Sequence, residues 1–180
     1  GEIRLIKMGH GVANHYSYFT SDQQLFFFQL LAEYLRVAQD FAFLAEEEMP
    51  FPGRNAKPMQ VIEFVEVCWK FLRDEIGTGK HGLVRLLNSD WNDAVFYIVA
   101  APYNRVLFSG ESHMNSAMSI AVLGNLIRSL REAASTPALS DRKDRIELLA
   151  QSMELFRDSQ SRAFFGDLGG RTFSRRMYFN

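Results

Sequence analysis

Residues 21–44 read SDQQLFFFQLLAEYLRVAQDFAFL, and this stretch indicates the fold class. It contains neither glycine nor proline, the two residues that interrupt helices most strongly. Its apolar residues fall on nearly every face of a helix, which predicts a helix that is buried on several sides. Ser21 and Asp22 are suitable N-terminal caps, and Pro50 lies beyond the end of the pattern. We therefore expect one long helix over residues 22–46.

Three further helices are expected downstream, over residues 59–75, over residues 112–134 and after Ser140 and Asp141, which can cap the last of them. The apolar residues that repeat at helical spacing are Ile62, Val65, Trp69 and Leu72 in the second helix, Met114, Met118, Ala121, Leu126 and Leu130 in the third, and Ile146, Leu149, Met153 and Phe156 in the fourth. The sequence therefore predicts an all-α fold of two consecutive helical hairpins with long loops between them. The helices share no heptad pattern, so a coiled coil is not expected.

Weaker patterns lie between and beyond these helices. Alternation of apolar and polar residues predicts a short strand at residues 2–7, an extended piece at residues 83–87 and a strand within residues 171–180. A group of glycines predicts the loop after the fourth helix: Gly166, Gly169 and Gly170.

The composition bounds the class of protein. The 180 residues are 47% hydrophobic and 23% charged, which suits one segment that buries a core. A net charge of −1, from 20 basic and 21 acidic residues, argues against a nucleic-acid partner. The single cysteine, Cys68, excludes a disulfide framework and a cysteine-based zinc site. No apolar run reaches 18 residues, so no membrane span is expected. We expect a cytoplasmic protein, and an excerpt of a longer chain because the first residue is Gly1.

The densest polar cluster is Asn88–Asp93, with the sequence NSDWND. It places two carboxylates three residues apart, around a tryptophan and an asparagine. Acid catalysis on a glycoside needs a carboxylic acid near the leaving oxygen, and an aromatic wall can hold the sugar. The same residues also suit a helix cap, in which Asn88 or Asp90 accepts backbone N–H groups. The spacing alone leaves both interpretations open.

Other polar residues give weaker signals. Glu111, just ahead of the third helix, is either a second carboxylate of a site or a first-turn residue favoured by the helix dipole. Residues 77–80 (GTGK) lack the spacing of a phosphate-binding loop, so we expect a turn there. No histidine makes an i, i+4 pair with another histidine or cysteine, so no metal site is expected at His10, His15, His81 or His113.

Several short motifs occur together in one family. They are TSD at 20–22, AEY at 32–34, DF at 40–41, PF at 50–51, HGL at 81–83, DWND at 90–93, GES at 110–112, GG at 169–170 and RRMYF at 175–179. In order and spacing they resemble the inverting glycoside phosphorylases of glycoside hydrolase family 94, such as the cellobiose and chitobiose phosphorylases, in the six-hairpin glycosidase superfamily. DWND behind HGL is the most specific part of the resemblance. The lead-in at residues 87–89 (LNS) is more similar to the β-1,3-oligoglucan phosphorylases.

The resemblance implies that residues 1–180 are one segment from the centre of an (α/α)6 catalytic barrel. It implies inverting phosphorolysis of a β-glucoside or β-glucan, with Asp93 as the general acid and inorganic phosphate as co-substrate, and with no metal or cofactor. The substrate-binding residues that it implies are Asp22, Asp90, Trp91, Asn92 and Glu111. The expected partners are an oligosaccharide or β-glucan and phosphate, and the full-length protein is expected to form a homodimer.

The sequence also departs from the family. Family members carry arginines in the loop before the aromatic helix, whereas residues 10–19 contain none. Gln23 and Gln24 stand where the family has an acidic position, so the donor subsite or the route of phosphate is expected to differ. Four helices from a twelve-helix barrel would also expose apolar faces.

Two other functions stay open at this point. An inverting hydrolase would keep the fold and use water, which needs a general base such as Glu111. A helical interaction module would use its aromatic residues for packing alone, and the change Asp93→Asn would leave its function intact. Phosphate-dependent release of a sugar 1-phosphate separates the phosphorylase from both.

Overall fold

The computed structural model of the protein describes residues 21–46, 58–87, 106, 108–170 and 177–178. These residues are mostly helical, which confirms the all-α class. Their α-helices are α1 (Gln23–Ala38), α2 (Val61–Lys70), α3 (His113–Ala134) and α4 (Lys143–Leu168), and two-residue strands β1 (Glu111–Ser112) and β2 (Met177–Tyr178) form an antiparallel pair. No helix in these ranges is long and apolar enough to cross a membrane.

Helix α1 ends earlier than the sequence predicts. Gln39 adopts a left-handed conformation, with φ at 55°, and its N–H donates to the carbonyl of Leu35. A separate 3-10 helix, Phe41–Ala45, follows. The expectation of one helix over residues 22–46 is therefore wrong, because a left-handed residue ends the helical hydrogen-bond ladder.

Helix α1 buries one face only. Its buried apolar residues are Leu25, Phe28, Leu31, Ala32 and Leu35, and its exposed ones are Phe26, Leu30, Tyr34 and Val37. Leu30 and Val37 are each 71% exposed, so the prediction of burial on several sides is wrong within the described residues. The exposed apolar face agrees with the expectation that the helices of this chain leave apolar surface uncovered.

Helix α2 and the π-helical turn that continues it, Phe71–Ile76, confirm the helix predicted over residues 59–75. The N–H of Gln60 donates to the carboxylate of Glu63 at 3.1 Å, which caps the first turn. The apolar residues predicted for this helix are all buried: Ile62, Val65, Trp69 and Leu72.

Cys68 lies in the buried face of α2 and provides a direct test of its packing. Burial in apolar surroundings raises the pKa of the Cys68 thiol to about 12. Because the thiolate is the reactive form, we expect no reaction with an aromatic disulfide reagent at pH 8 until denaturant is added. One equivalent of thiol should then react, as measured by released chromophore. Rapid reaction of the folded protein would contradict this packing.

Helix α3 begins as predicted. The hydroxyl of Ser112 accepts the N–H of Asn115 at 3.0 Å and so caps the helix. The predicted apolar face is only partly correct: Leu126 and Leu130 are buried, Met114 and Met118 are half-buried, and Ala121 is exposed. The difference arises because the first turns of α3 bury polar residues, namely His113, Asn115, Ser116 and Ser119.

Helix α4 begins after a 3-10 helix, Pro137–Arg142. Ser140 and Asp141 lie inside that turn, so the cap predicted for them is wrong. The predicted apolar stripe is confirmed, since Ile146, Leu149 and Met153 are buried and Phe156 is half-buried against the core. The helix continues through Gly166, where a loop was expected, and ends at Gly169, whose φ is 53°.

The second predicted hairpin is confirmed, because α3 and α4 pack antiparallel. Arg131, near the end of α3, pairs with Glu154 in the middle of α4. His113, at the start of α3, lies beside Asp167 at the end of α4.

The first predicted hairpin differs, because α1 packs along α3 more extensively than along α2. Ser21, just ahead of α1, bonds to Asn115 in the first turn of α3, so these helices start at the same end. Helix α2 lies beside α4 and runs in the same direction. Arg145 of α4 bonds to Glu66 of α2, and Ser152, later in α4, bonds to Trp69, later in α2. The four helices thus share one core, in which α3 packs most extensively on α4 and next on α1, while side-chain bonds join α2 to α4.

Candidate functional site

The predicted site residues fall in two groups. Asp90, Trp91, Asn92 and Asp93 lie outside the residues that the structure describes. Asp22 and Glu111 are described, and both are buried at the N-terminal ends of α1 and α3. The loop of residues 77–87, here called the 77–87 loop, lies against the same helix ends and leads directly into residue 88.

The starts of α1 and α3 meet at one buried hydroxyl. Ser21 Oγ donates to the carbonyl of Leu86 at 2.9 Å and accepts from Nδ2 of Asn115 at 2.8 Å. Asp22 follows directly and is 2% exposed, and its side chain makes no capping hydrogen bond, so the cap predicted for it is not formed. Its Oδ1 instead accepts from Nε2 of Gln23. The positive ends of two helix dipoles at this point favour a negative charge.

Glu111 lies in β1, immediately before α3, and its side chain is fully buried. Its carboxylate accepts the backbone N–H groups of His81, at 3.2 Å, and Leu83, at 3.0 Å. Nδ1 of His81 lies 2.8 Å from Oε1 of Glu111, within hydrogen-bond distance. The carboxylate therefore bonds the backbone of the 77–87 loop at two residues and the side chain of one of them.

Gly79 covers this carboxylate from the other side. A Cβ atom at position 79 would lie 2.4 Å from Cδ of Glu111, which is closer than carbon atoms approach without displacement. The N–H of Gly79 donates to the carbonyl of Leu83, closing the loop over Glu111. The turn predicted at residues 77–80 is thus a close approach of backbone to a buried carboxylate.

A second polar cluster adjoins Glu111 and includes Tyr178 of β2. The ring of His81 stacks on Tyr178 of β2, with centroids 3.9 Å apart. The hydroxyl of Tyr178 donates to the carboxylate of Asp167, and Nε2 of His113 lies 3.1 Å from the same carboxylate. Two histidines, two carboxylates and a tyrosine therefore adjoin one another between α3, α4 and the 77–87 loop.

The chemistry available at this end of the bundle is that of acids, bases and hydrogen bonds. Within the described ranges, no group of three histidine, cysteine, aspartate or glutamate side chains is placed to hold a metal ion. The histidine–carboxylate pairs can fix tautomers and orient neighbouring groups. Substrate binding by Asp22 and Glu111 stays a prediction.

Sequence reasoning did not identify His81, Tyr178, Asp167 and His113 as members of one cluster. HGL and RRMYF contain two of them, but motif order does not show which motifs touch. Glu111 and His81 are 30 residues apart in sequence, so only the packing of β1 against the 77–87 loop brings them together.

Comparison of the chain with protein-family models, with curated proteins and with solved structures finds no match in any of the three.

Proposed function

We propose that this chain is a catalytic segment of an inverting glycoside phosphorylase that acts on a β-glucoside or β-glucan. The observation that supports it most is the anchoring of the 77–87 loop: buried polar side chains attach it to the starts of α1 and α3, and in the sequence its last residue, Leu87, lies three positions before the DWND motif.

The arrangement of the helices supports the proposed (α/α)6 barrel. Helices α1 and α3 start at the same end, and side-chain bonds join α2 to α4 in the same chain direction. A barrel of paired helices repeats this arrangement, with one helix of each pair in the inner layer and one in the outer layer. The exposed apolar face of α1 is the surface that a further inner helix would cover.

In the proposed reaction, Asp93 donates its proton to the glycosidic oxygen while the bond from that oxygen to the anomeric carbon breaks. An oxygen of inorganic phosphate forms a new bond to the anomeric carbon from the opposite face. The products are a sugar 1-phosphate of inverted configuration and a shortened glucan, and phosphate occupies the place that water has in an inverting hydrolase. Trp91 and Asn92 would line the sugar subsite, and Asp90 would hold the turn or a sugar hydroxyl.

At the end of the bundle where α1 and α3 begin, the helix dipoles suit an anionic co-substrate. The N-terminal ends of α1 and α3 carry partial positive charge, which favours phosphate. Such a contribution would matter here because residues 10–19 lack the arginines of the family.

The proposal is tested by incubating the full-length protein with short β-1,3- and β-1,4-glucans, with and without phosphate. We expect α-glucose 1-phosphate only when phosphate is present, detected by phosphorus NMR, which also reports the anomeric configuration. Free glucose at a rate independent of phosphate would instead establish the hydrolase. No product from any glucan would contradict the enzyme proposal and favour the helical interaction module, for which the exposed face of α1 is the candidate surface.

A further inference from the structure

Four fully buried polar side chains bond to the backbone of the 77–87 loop. Glu111 accepts from His81 and Leu83, Ser116 Oγ accepts from the N–H of Val84, Gln160 Nε2 donates to the carbonyl of Gly82, and Ser21 Oγ donates to the carbonyl of Leu86. These side chains come from the start of α1, from β1, from α3 and from α4. Since burying a polar group costs free energy unless it is hydrogen-bonded, each of them stabilises one loop conformation.

The loop ends in a strained residue. Leu87 has φ at 54°, in the left-handed region that non-glycine residues seldom adopt. Leu86, one residue earlier, is held on both sides, because its N–H donates to the carbonyl of Gly110 and its carbonyl accepts from Ser21. Such strain persists only where the surrounding structure over-determines the backbone, and it is typical of segments next to functional sites. The backbone of the loop is therefore held in one conformation as far as Leu87.

Glu111 is the central contact of this arrangement. It is the one charged group among the four anchors, it bonds to two loop residues, and Gly79 lies directly over it. Hydrogen bonds to an ionised carboxylate are stronger than neutral ones, so its removal should affect the loop more than removal of either serine. Its side chain is fully buried and its oxygens face the loop, which does not suit direct contact with a sugar.

We propose that Glu111 is a positioning residue for the DWND motif: its buried carboxylate fixes the 77–87 loop, which ends three positions before Asp90 in the sequence. The proposal rests on the proposed function, because it assigns Glu111 a role in placing Asp93. It replaces direct substrate binding by Glu111 with an action through the loop.

The first variant is Glu111→Gln, which keeps the size of the side chain, removes its charge and turns one acceptor into a donor. We expect kcat for phosphorolysis to fall about 10–100-fold, as for a small displacement of a catalytic group, with KM for the glucan changed less than about twofold. Hydrogen exchange, measured by mass spectrometry, should be about tenfold or more faster at the amides of His81 and Leu83. The control Glu132→Gln, on the exposed side of α3, should change neither.

A second variant disturbs the same contact from the loop side, and it serves if Glu111→Gln fails to fold. Gly79→Ala adds a methyl group against Glu111 and should give the same pattern of lower kcat, unchanged KM and faster amide exchange. Because both changes break one contact, the double variant should lose little more than the worse single variant.

The outcomes distinguish this proposal from the proposed function. Wild-type protein that forms no sugar 1-phosphate would overturn the proposed function, and the role of Glu111 in placing Asp93 with it. With an active wild type, faster amide exchange and an unchanged kcat would overturn the positioning role alone. A raised KM with unchanged exchange would show that Glu111 contacts the substrate and would overturn it as well.

Discussion

The variant Asp93→Asn is expected to form sugar 1-phosphate from β-glucan about 10²–10⁴-fold more slowly than the wild type, which is the usual contribution of a positioned general acid. Asparagine has nearly the same size as aspartate but has no proton to donate to the leaving oxygen. The loss should therefore appear in kcat, with KM little changed. Initial rates at saturating phosphate measure it, and a thermal melt shows that the fold is unchanged.

The choice of leaving group separates a general acid from other roles of Asp93. A nitrophenyl β-glucoside releases a stable phenolate that needs no protonation, so Asp93→Asn should slow its phosphorolysis by less than about tenfold. The control Asp144→Asn changes an exposed carboxylate in the first turn of α4 and should leave both substrates unaffected. An equal loss on both substrates would contradict the role of general acid.

The sequence predicts best those parts of the fold that depend on a local period. Helices α2 and α4 are examples, because Ile62, Trp69, Ile146 and Met153 repeat at helical spacing and are all buried. The end of α1 was missed, since it depends on the left-handed conformation of one glutamine and on no glycine or proline.

Other features depend on contacts between distant segments, which a single sequence does not show. A search for apolar residues misplaced the buried face of α3, because Asn115 and Ser116 are buried there to make hydrogen bonds. Glu111 was singled out from its place before a helix, but its partners, the amides of His81 and Leu83, were not. Asp93 stays a prediction from sequence alone.

The largest expected loss of stability follows from Trp69, which joins α2 to α4. Its ring is 2% exposed and packs edge-on against Phe156 of α4, with centroids 5.4 Å apart. Its indole N–H donates to Ser152 Oγ at 3.1 Å. We expect Trp69→Ala to lower the free energy of unfolding by about 3–5 kcal/mol, which is a large share of the 5–15 kcal/mol of a typical domain. Urea denaturation followed by far-ultraviolet circular dichroism measures the change.

Two further variants separate the cause of this loss. Trp69→Phe keeps an aromatic ring against Phe156 and loses the hydrogen bond to Ser152, which contributes about 0.5–1.5 kcal/mol. It should therefore be clearly more stable than Trp69→Ala. Leu155→Ala removes an apolar side chain of α4 that is 68% exposed, and it should change stability by no more than about 0.5 kcal/mol.

The Trp69 variants also test whether α2 and α4 unfold together. Since the buried residues of α2 belong to the one core that all four helices share, a cavity at Trp69 should destabilise the whole domain in one transition. A separate early transition, or a loss under about 1 kcal/mol for Trp69→Ala, would contradict the docking of α2 on α4. Gln160 of α4 bonds to the 77–87 loop. Separation of α2 from α4 is therefore expected to disturb the loop that precedes the proposed catalytic residues.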